Sequence, residues 1–199
     1  MKRDMELLFK QRLEKSKIIA AIKHPKSIER AIKYKHNLAA VILMTGNILT
    51  VKDYVKVLHR EGLPVILHIE KIGGLHVDHY GIDFVAEYVK PFAIVTTKSN
   101  VINRAKAKGI FVIQRIFLID TEVYDNLIES VDHFMPDIIE IMPCRVPDFI
   151  KKLSRVSPIP IITGGLLSTV EHGETALKHG AIAVTTSNSD LWKSGLIHH

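Results

Sequence analysis

One recurrence constrains this chain more than any other feature. Eight short apolar runs, Ile18–Ile22, Ala39–Met44, Val65–Glu70, Phe92–Thr96, Ile110–Ile116, Asp137–Met142, Ile159–Thr163 and Ala181–Thr185, alternate with segments that carry helix punctuation. Most runs are rich in β-branched residues and lack clean polar alternation, as expected of parallel strands covered on both faces. Thr50-Val-Lys-Asp53 reads as a capping-box-like helix start that Gly62 closes, and Ser168-Thr-Val-Glu171 opens another helix with Gly180 just past its end. Pro25 and Pro147 suit first-turn positions, where a missing N–H costs nothing.

Eight strands alternating with helices predict an α/β fold, a compact (β/α)8 TIM-type barrel, close to the lower limit of about 200 residues for that architecture. An open doubly wound sheet is the alternative, but it usually needs fewer strands. Residues 1–16 precede the first strand, and Met5, Phe9 and Leu13, spaced by four, form one apolar stripe of an extra N-terminal helix. Residues 17–193 are then a single barrel domain and 194–199 a C-terminal tail, with His198 and His199 read as tail residues.

With 47% hydrophobic and 24% charged residues, the composition supports one sizeable core and excludes disorder, collagen and coiled coil. A single cysteine, Cys144, excludes an internal disulfide and leaves no thiol pair for a metal. No secretory apolar region opens the chain and no apolar run approaches ~18 residues, so a soluble, cytoplasmic protein is expected, with no membrane partner. The net charge of +6 is concentrated: residues 1–36 hold eleven Lys/Arg against four Asp/Glu. Such a face attracts nucleic acid, anionic lipid or acidic metabolites, or is simply a solvated helix surface.

In a barrel of this kind the working groups gather at the C-terminal strand ends. Ile162-Thr-Gly-Gly165 after strand seven and Thr185-Thr-Ser-Asn188 after strand eight fall at the usual phosphate position. Glycines let backbone N–H groups approach an anion, and a following helix start adds its positive end. Gly164, Gly165, Thr186, Ser187 and Asn188 are therefore the expected phosphate ligands, although the same residues also make good turns and caps. Lys98 after strand four could place a cation over the mouth or form a Schiff base if buried. Gln114 and Arg115 point to opposite sides of strand five, with the lumen-facing one undetermined by sequence. His68 and Glu70 on strand three and Glu140 on strand six could bind a cation or act as acid and base, but pairing with Lys98 or Arg115 is the stronger expectation. There is no nucleophile elbow, Walker loop, dinucleotide fingerprint, zinc motif or RNA-binding sheet motif.

Six phrases occur in one order: Val65-Ile-Leu-His-Ile-Glu70, Thr97-Lys-Ser-Asn-Val-Ile102, Gln114-Arg-Ile-Phe-Leu-Ile-Asp120, Ile139-Glu-Ile-Met-Pro143, Thr163-Gly-Gly-Leu166 and Val184-Thr-Thr-Ser-Asn188 with Asp190-Leu-Trp192. Together, over roughly residues 17–193, they resemble the glycerol uptake operon antiterminator regulatory proteins. The resemblance implies a non-enzymatic regulator that binds glycerol 3-phosphate as effector, needs no cofactor or metal, and binds leader mRNA of glycerol-metabolism genes to prevent premature termination. It implies a phosphate held by Gly164, Gly165, Thr186, Ser187 and Asn188, with Glu70, Lys98, Arg115, Asp120 and Glu140 framing the mouth and no catalytic residue. The family usually has Asp where Glu70 stands, Arg where Lys98 stands and Gly where Cys144 stands; Lys keeps the charge but loses bidentate geometry. RNA binding is expected to be salt-sensitive and to draw on lysines of residues 1–36. A paired surface could also make a homo-oligomer that grips two RNA segments. The competing reading is a phosphate-binding barrel enzyme, aldolase- or isomerase-like, acting on a phosphorylated triose through Lys98 or Glu140.

Overall fold

The computed structural model describes residues 2–130 and 135–196; the tail residues His198 and His199 lie outside them. Eight parallel strands close into a barrel: β1 (Ile18–Ile22), β2 (Ala40–Leu43), β3 (Val65–His68), β4 (Ala93–Thr96), β5 (Phe111–Phe117), β6 (Ile138–Met142), β7 (Ile161–Gly164) and β8 (Ala183–Thr186). Closure is made by β1 against β8, with Ile18 opposite Val184 and Ala20 opposite Thr186. Among the described residues the helices are α1 (Lys2–Lys15), α2 (Ser27–Lys33), α3 (Val51–Arg60), α4 (His79–Phe84), α5 (Ser99–Ala107), α6 (Thr121–Ser130), α7 (Pro147–Val156), α8 (Val170–Lys178) and α9 (Ser189–Ser194).

Two cores explain the missing alternation in the strand sequences. Ile19, Ile42, Ile66, Val95, Ile113, Ile138 and Ile162 fill the lumen. Their neighbours Ile18, Val41, Leu67, Val112, Ile141 and Val184 pack outward under the helices. Both faces of each strand are buried, so apolar residues are needed at successive positions.

The predicted N-terminal stripe closes one end of this lumen. Phe9, 2% exposed, joins the lumen core with Met5 and Leu13 beside it, and its ring lies 5.1 Å from Phe92 and 6.3 Å from Phe111. Arg12 fastens α1 from the side, donating from Nε and Nη2 to the Leu38 carbonyl at 3.0 and 2.7 Å. Part of the N-terminal basic excess is thus structural rather than free.

Several local expectations shift. Val65–Glu70 is strand only to His68, and Glu70 lies in a following 3-10 turn, Ile69–Lys71. The Thr50 side chain does not cap α3 but accepts from Asn47 N–H in the preceding turn. Thr169, not Ser168, caps α8 by accepting from His172 N–H. Pro147 occupies the first turn of α7 as expected, whereas Pro25 sits in the turn ahead of α2 and its carbonyl accepts from Ile28 N–H. In each case a short polar side chain or a turn competes with the helix for the same backbone groups.

Candidate functional site at the barrel mouth

The end of the barrel opposite α1 is polar. Glu140 on β6 is fully buried in the lumen, and Arg115 on β5 is 4% exposed. Their Cα positions are register partners, and Arg115 Nε donates to Glu140 Oε2 at 2.7 Å. Thr185 on β8 donates to the other oxygen, Oε1, also at 2.7 Å. Both carboxylate oxygens are therefore engaged, as a buried charge requires. Arg115, not Gln114, is the lumen-facing residue of that pair. Its terminal Nη groups form no hydrogen bond among the described residues and remain a two-pronged donor at the mouth.

Gly164 has a packing reason to be glycine. A Cβ there would collide with the Thr185 hydroxyl and lie 2.7 Å from the Thr185 carbonyl. Gly165 has a backbone reason, φ +73, and the next residue, Leu166, is a non-glycine at φ 54 with 72% exposure. A leucine in the left-handed region is strained by about 1–2 kcal/mol, and such strain concentrates at functional loops. Gly165, Leu166 and Ser187 offer backbone N–H groups that form no hydrogen bond among the described residues. By contrast the Thr186 hydroxyl accepts from Asn188 N–H at 3.1 Å, and the Asn188 amide oxygen caps α9 by accepting from Asp190 N–H at 3.0 Å. The buried Trp192 donates to the Thr186 carbonyl at 2.9 Å and so anchors this strand end.

Across the mouth, Glu70 accepts from the Thr96 hydroxyl and, at 3.0 Å, from Thr97 N–H. His68, 3% exposed, brings Nδ1 to 3.1 Å from Glu70 Oε2, yet neither atom completes a well-aimed hydrogen bond. Burial pushes the Glu70 carboxyl up, but the contacts from His68 and Thr96 outweigh it and hold the group below its ordinary value. This buried imidazole nitrogen and carboxylate oxygen face each other without a well-aimed hydrogen bond, and a ligand hydroxyl could satisfy both.

The side chains of the remaining expected residues take no part in these contacts. Lys98 is exposed at the N-terminal boundary of α5 and pairs with neither Glu70 nor Glu140. Asp120 is exposed and accepts from Val123 N–H at 2.9 Å in the first turn of α6. His68, Glu70 and Glu140 do not form a metal cluster; among the described residues no group of three His, Cys, Asp or Glu does. Thr96 and Thr185, which tie the two carboxylates down, carry no signal in sequence beyond their places at strand ends. Cys144 is buried, its φ is not positive, and its N–H donates to the Gly165 carbonyl at 3.1 Å, so this position makes no demand for glycine.

A closed eight-stranded parallel barrel with an N-terminal plug and a polar mouth defines the class: a minimal (β/α)8 barrel. Residues 18–192 match the family model described as glycerol-3-phosphate responsive antiterminator, and the chain belongs to that family. A solved glycerol uptake operon antiterminator regulatory protein from Listeria monocytogenes is similar in structure, with TM-score 0.83, 34% identity, and 88% of this chain and 94% of that one covered. An antiterminator-related protein from Thermotoga maritima has TM-score 0.79 and 29% identity, covering 89% and 98%. The Escherichia coli protein YgcP, described as uncharacterized, is 29% identical over 90% of this chain and 93% of its own. Deoxyribose phosphate aldolase from Aeropyrum pernix, at 15% identity and TM-score 0.68, shares the fold. No helix among the described residues is long and apolar enough to cross a membrane.

Proposed function

We propose that this chain is a cytoplasmic regulator that binds glycerol 3-phosphate and leader mRNA of glycerol-metabolism genes and prevents premature termination, without catalysing a reaction. The family match over residues 18–192 carries the reading. The mouth supports it chemically. The unpartnered N–H groups of Gly165, Leu166 and Ser187 and the free fork of Arg115 suit a phosphate dianion. His68 and Glu70 suit the glycerol hydroxyls, and Gly164, Thr186 and Asn188 shape the cradle through packing and capping. Lys98 and Asp120 frame the rim, where Lys98 adds long-range attraction.

An enzymatic role for Lys98 or Glu140 has less support. A Schiff-base lysine is activated by burial or a nearby cation, and Lys98 is exposed; Glu140 has both oxygens committed. Trp192, the sole tryptophan, touches the cradle strand and reports on it. Titration with glycerol 3-phosphate is expected to change Trp192 fluorescence saturably, glycerol to have no effect, and Arg115→Ala to abolish the response. A wild-type protein unaffected by the effector, or a borohydride-trapped adduct at Lys98, would sink the reading.

A further inference from the structure

A second concave site lies away from the mouth, between the C-terminal half of α3 and the starts of β4 and β5. The chain between α4 and β4 does not stay α-helical. Val85–Val89 forms a π-helical turn that ends on Lys90, a non-glycine in the left-handed region at φ 56. Wide turns of this kind are rare and recur at functional sites. The turn packs beside α3, and a cavity of about 560 Å³ is lined by residues of both.

The floor of that cavity is apolar: Met5, Ala86 and Pro91, each partly exposed, lie over the buried Val55, Val85, Val89 and Ile110. Its edge is cationic, and no carboxylate lines it. Lys52 is held over the half-exposed Tyr88 ring, 3.7 Å from its centre, and Lys108 pairs with Asp83 at 2.6 Å. Lys56, Arg60 and Lys90 are exposed and have no ion-pair partner among the described residues. Inside the cavity, His59 Nε2 is buried without a hydrogen-bond partner. Burial also pushes this imidazole below its ordinary value, which keeps it neutral at pH 7 and able to donate or accept.

We infer that this groove is the docking surface for unpaired bases of the leader RNA, with bases seated on the apolar floor and phosphates on Lys56, Arg60 and Lys90. The inference rests on the proposed function and names the RNA surface that reading leaves open. Charge complementarity selects the occupant: Lys56, Arg60 and Lys90 on the lip have no acid partner among the described residues, Asp83 being taken up by Lys108, which suits a polyanion, while an apolar floor with one orphaned hydrogen-bonding atom suits a base face and edge. Single-stranded RNA is recognised by that combination of phosphate contacts, stacking and edge hydrogen bonds. The groove adds a cationic surface outside residues 1–36, within which Arg12 is tied to backbone carbonyls and Lys35 pairs with Glu61 at 2.8 Å. Effector and RNA would then occupy separate sites, with any coupling between them reciprocal.

The test uses a fluorescently labelled, transcribed leader of a glycerol-metabolism gene from the source genome, read by anisotropy with and without glycerol 3-phosphate. Lys56→Glu/Arg60→Glu/Lys90→Glu is expected to weaken binding at least tenfold and to reduce the slope of log affinity against log salt by about 2, near 0.7 per lost phosphate contact. The Trp192 response to glycerol 3-phosphate should persist in that variant, which shows that it is folded. Reversing Lys151, Lys152 and Arg155 on α7 should leave RNA binding within twofold of wild type. His59→Ala should weaken RNA binding while leaving the salt slope unchanged. If wild type binds the leader and the groove variant binds it equally, the groove assignment is wrong while the functional reading stands. If wild type binds no leader RNA in any condition, the functional reading itself fails and the groove assignment falls with it.

Discussion

Arg115 and Glu140 occupy facing positions on β5 and β6, and the 2.7 Å bond between Nε and Oε2 buries a full ion pair in the upper lumen. A pair like this contributes little net stability compared with apolar residues of similar size, but removing one partner strands the other. Glu140→Leu is therefore expected to cost about 3–5 kcal/mol, which in a chain of this size is a fall in Tm of about 6–20 °C. Arg115→Leu/Glu140→Leu should recover most of that loss and still lack the effector response. Thermal unfolding of both variants checks this. Full effector binding by the folded double variant would remove Arg115 from the site.

The two glycines of the cradle fail for different reasons, and mutation separates them. Gly164→Ala puts a methyl into the Thr185 hydroxyl and carbonyl, so β7 and β8 must part; overpacking of this kind costs about 1–3 kcal/mol. Gly165→Ala meets ordinary contacts, the nearest at 3.7 Å, and suffers only from its positive φ, about 1–2 kcal/mol. Thr185→Ala should therefore relieve part of the Gly164→Ala penalty but none of the Gly165→Ala penalty. Denaturant midpoints for the two double-mutant cycles would show it, and equal coupling in both would refute the distinction.

The barrel was legible because its cause is repeated eight times along the chain, and the plug because Met5, Phe9 and Leu13 share one helix face. The mouth was legible as a place rather than as a set of contacts. Period-two geometry separates Gln114 from Arg115, but with both faces of the sheet buried nothing local says which faces the lumen. The roles of Thr96 and Thr185 depend on carboxylates 26 and 45 residues away. Asn188 reads equally well as a ligand or a cap, and its oxygen is found on Asp190 N–H, while the carboxylate of Asp120, expected at the mouth, is found on Val123 N–H. The groove had no sequence signal at all, because a π-helical turn inside an ordinary helical pattern has no residue signature of its own.

Cys144 lies beneath the cradle, 2% exposed, and burial raises its thiol above the ordinary value. The thiolate is the reactive form, so a native-state thiol of this kind should be inert. An aromatic disulfide reagent is expected to titrate no thiol in the folded protein near pH 7.5 and one thiol per chain in denaturant. Cys144→Ser should leave the effector response intact, since the backbone N–H rather than the side chain supports Gly165. Rapid labelling of the native protein would contradict the burial.

Glu70 supplies a pH signature. Its carboxyl is held below the ordinary 4.5, because contacts from His68 and Thr96 outweigh the upward push of burial. A lowered carboxylate pKa means that the unfolded chain binds the proton first, so stability rises with pH through this range. The contribution is complete above the ordinary glutamate value and is lost as pH falls toward the lowered one. Glu70→Gln keeps an acceptor for Thr96 and Thr97 but removes the charge. The stability difference between wild type and this variant should shrink as pH falls from about 4.5 toward 3. Denaturant unfolding at each pH measures it, and a difference that grew on acidification would mean that Glu70 is held protonated in the fold. Glycerol 3-phosphate binding by Glu70→Gln should weaken at neutral pH, because His68 then faces the ligand without its carboxylate partner.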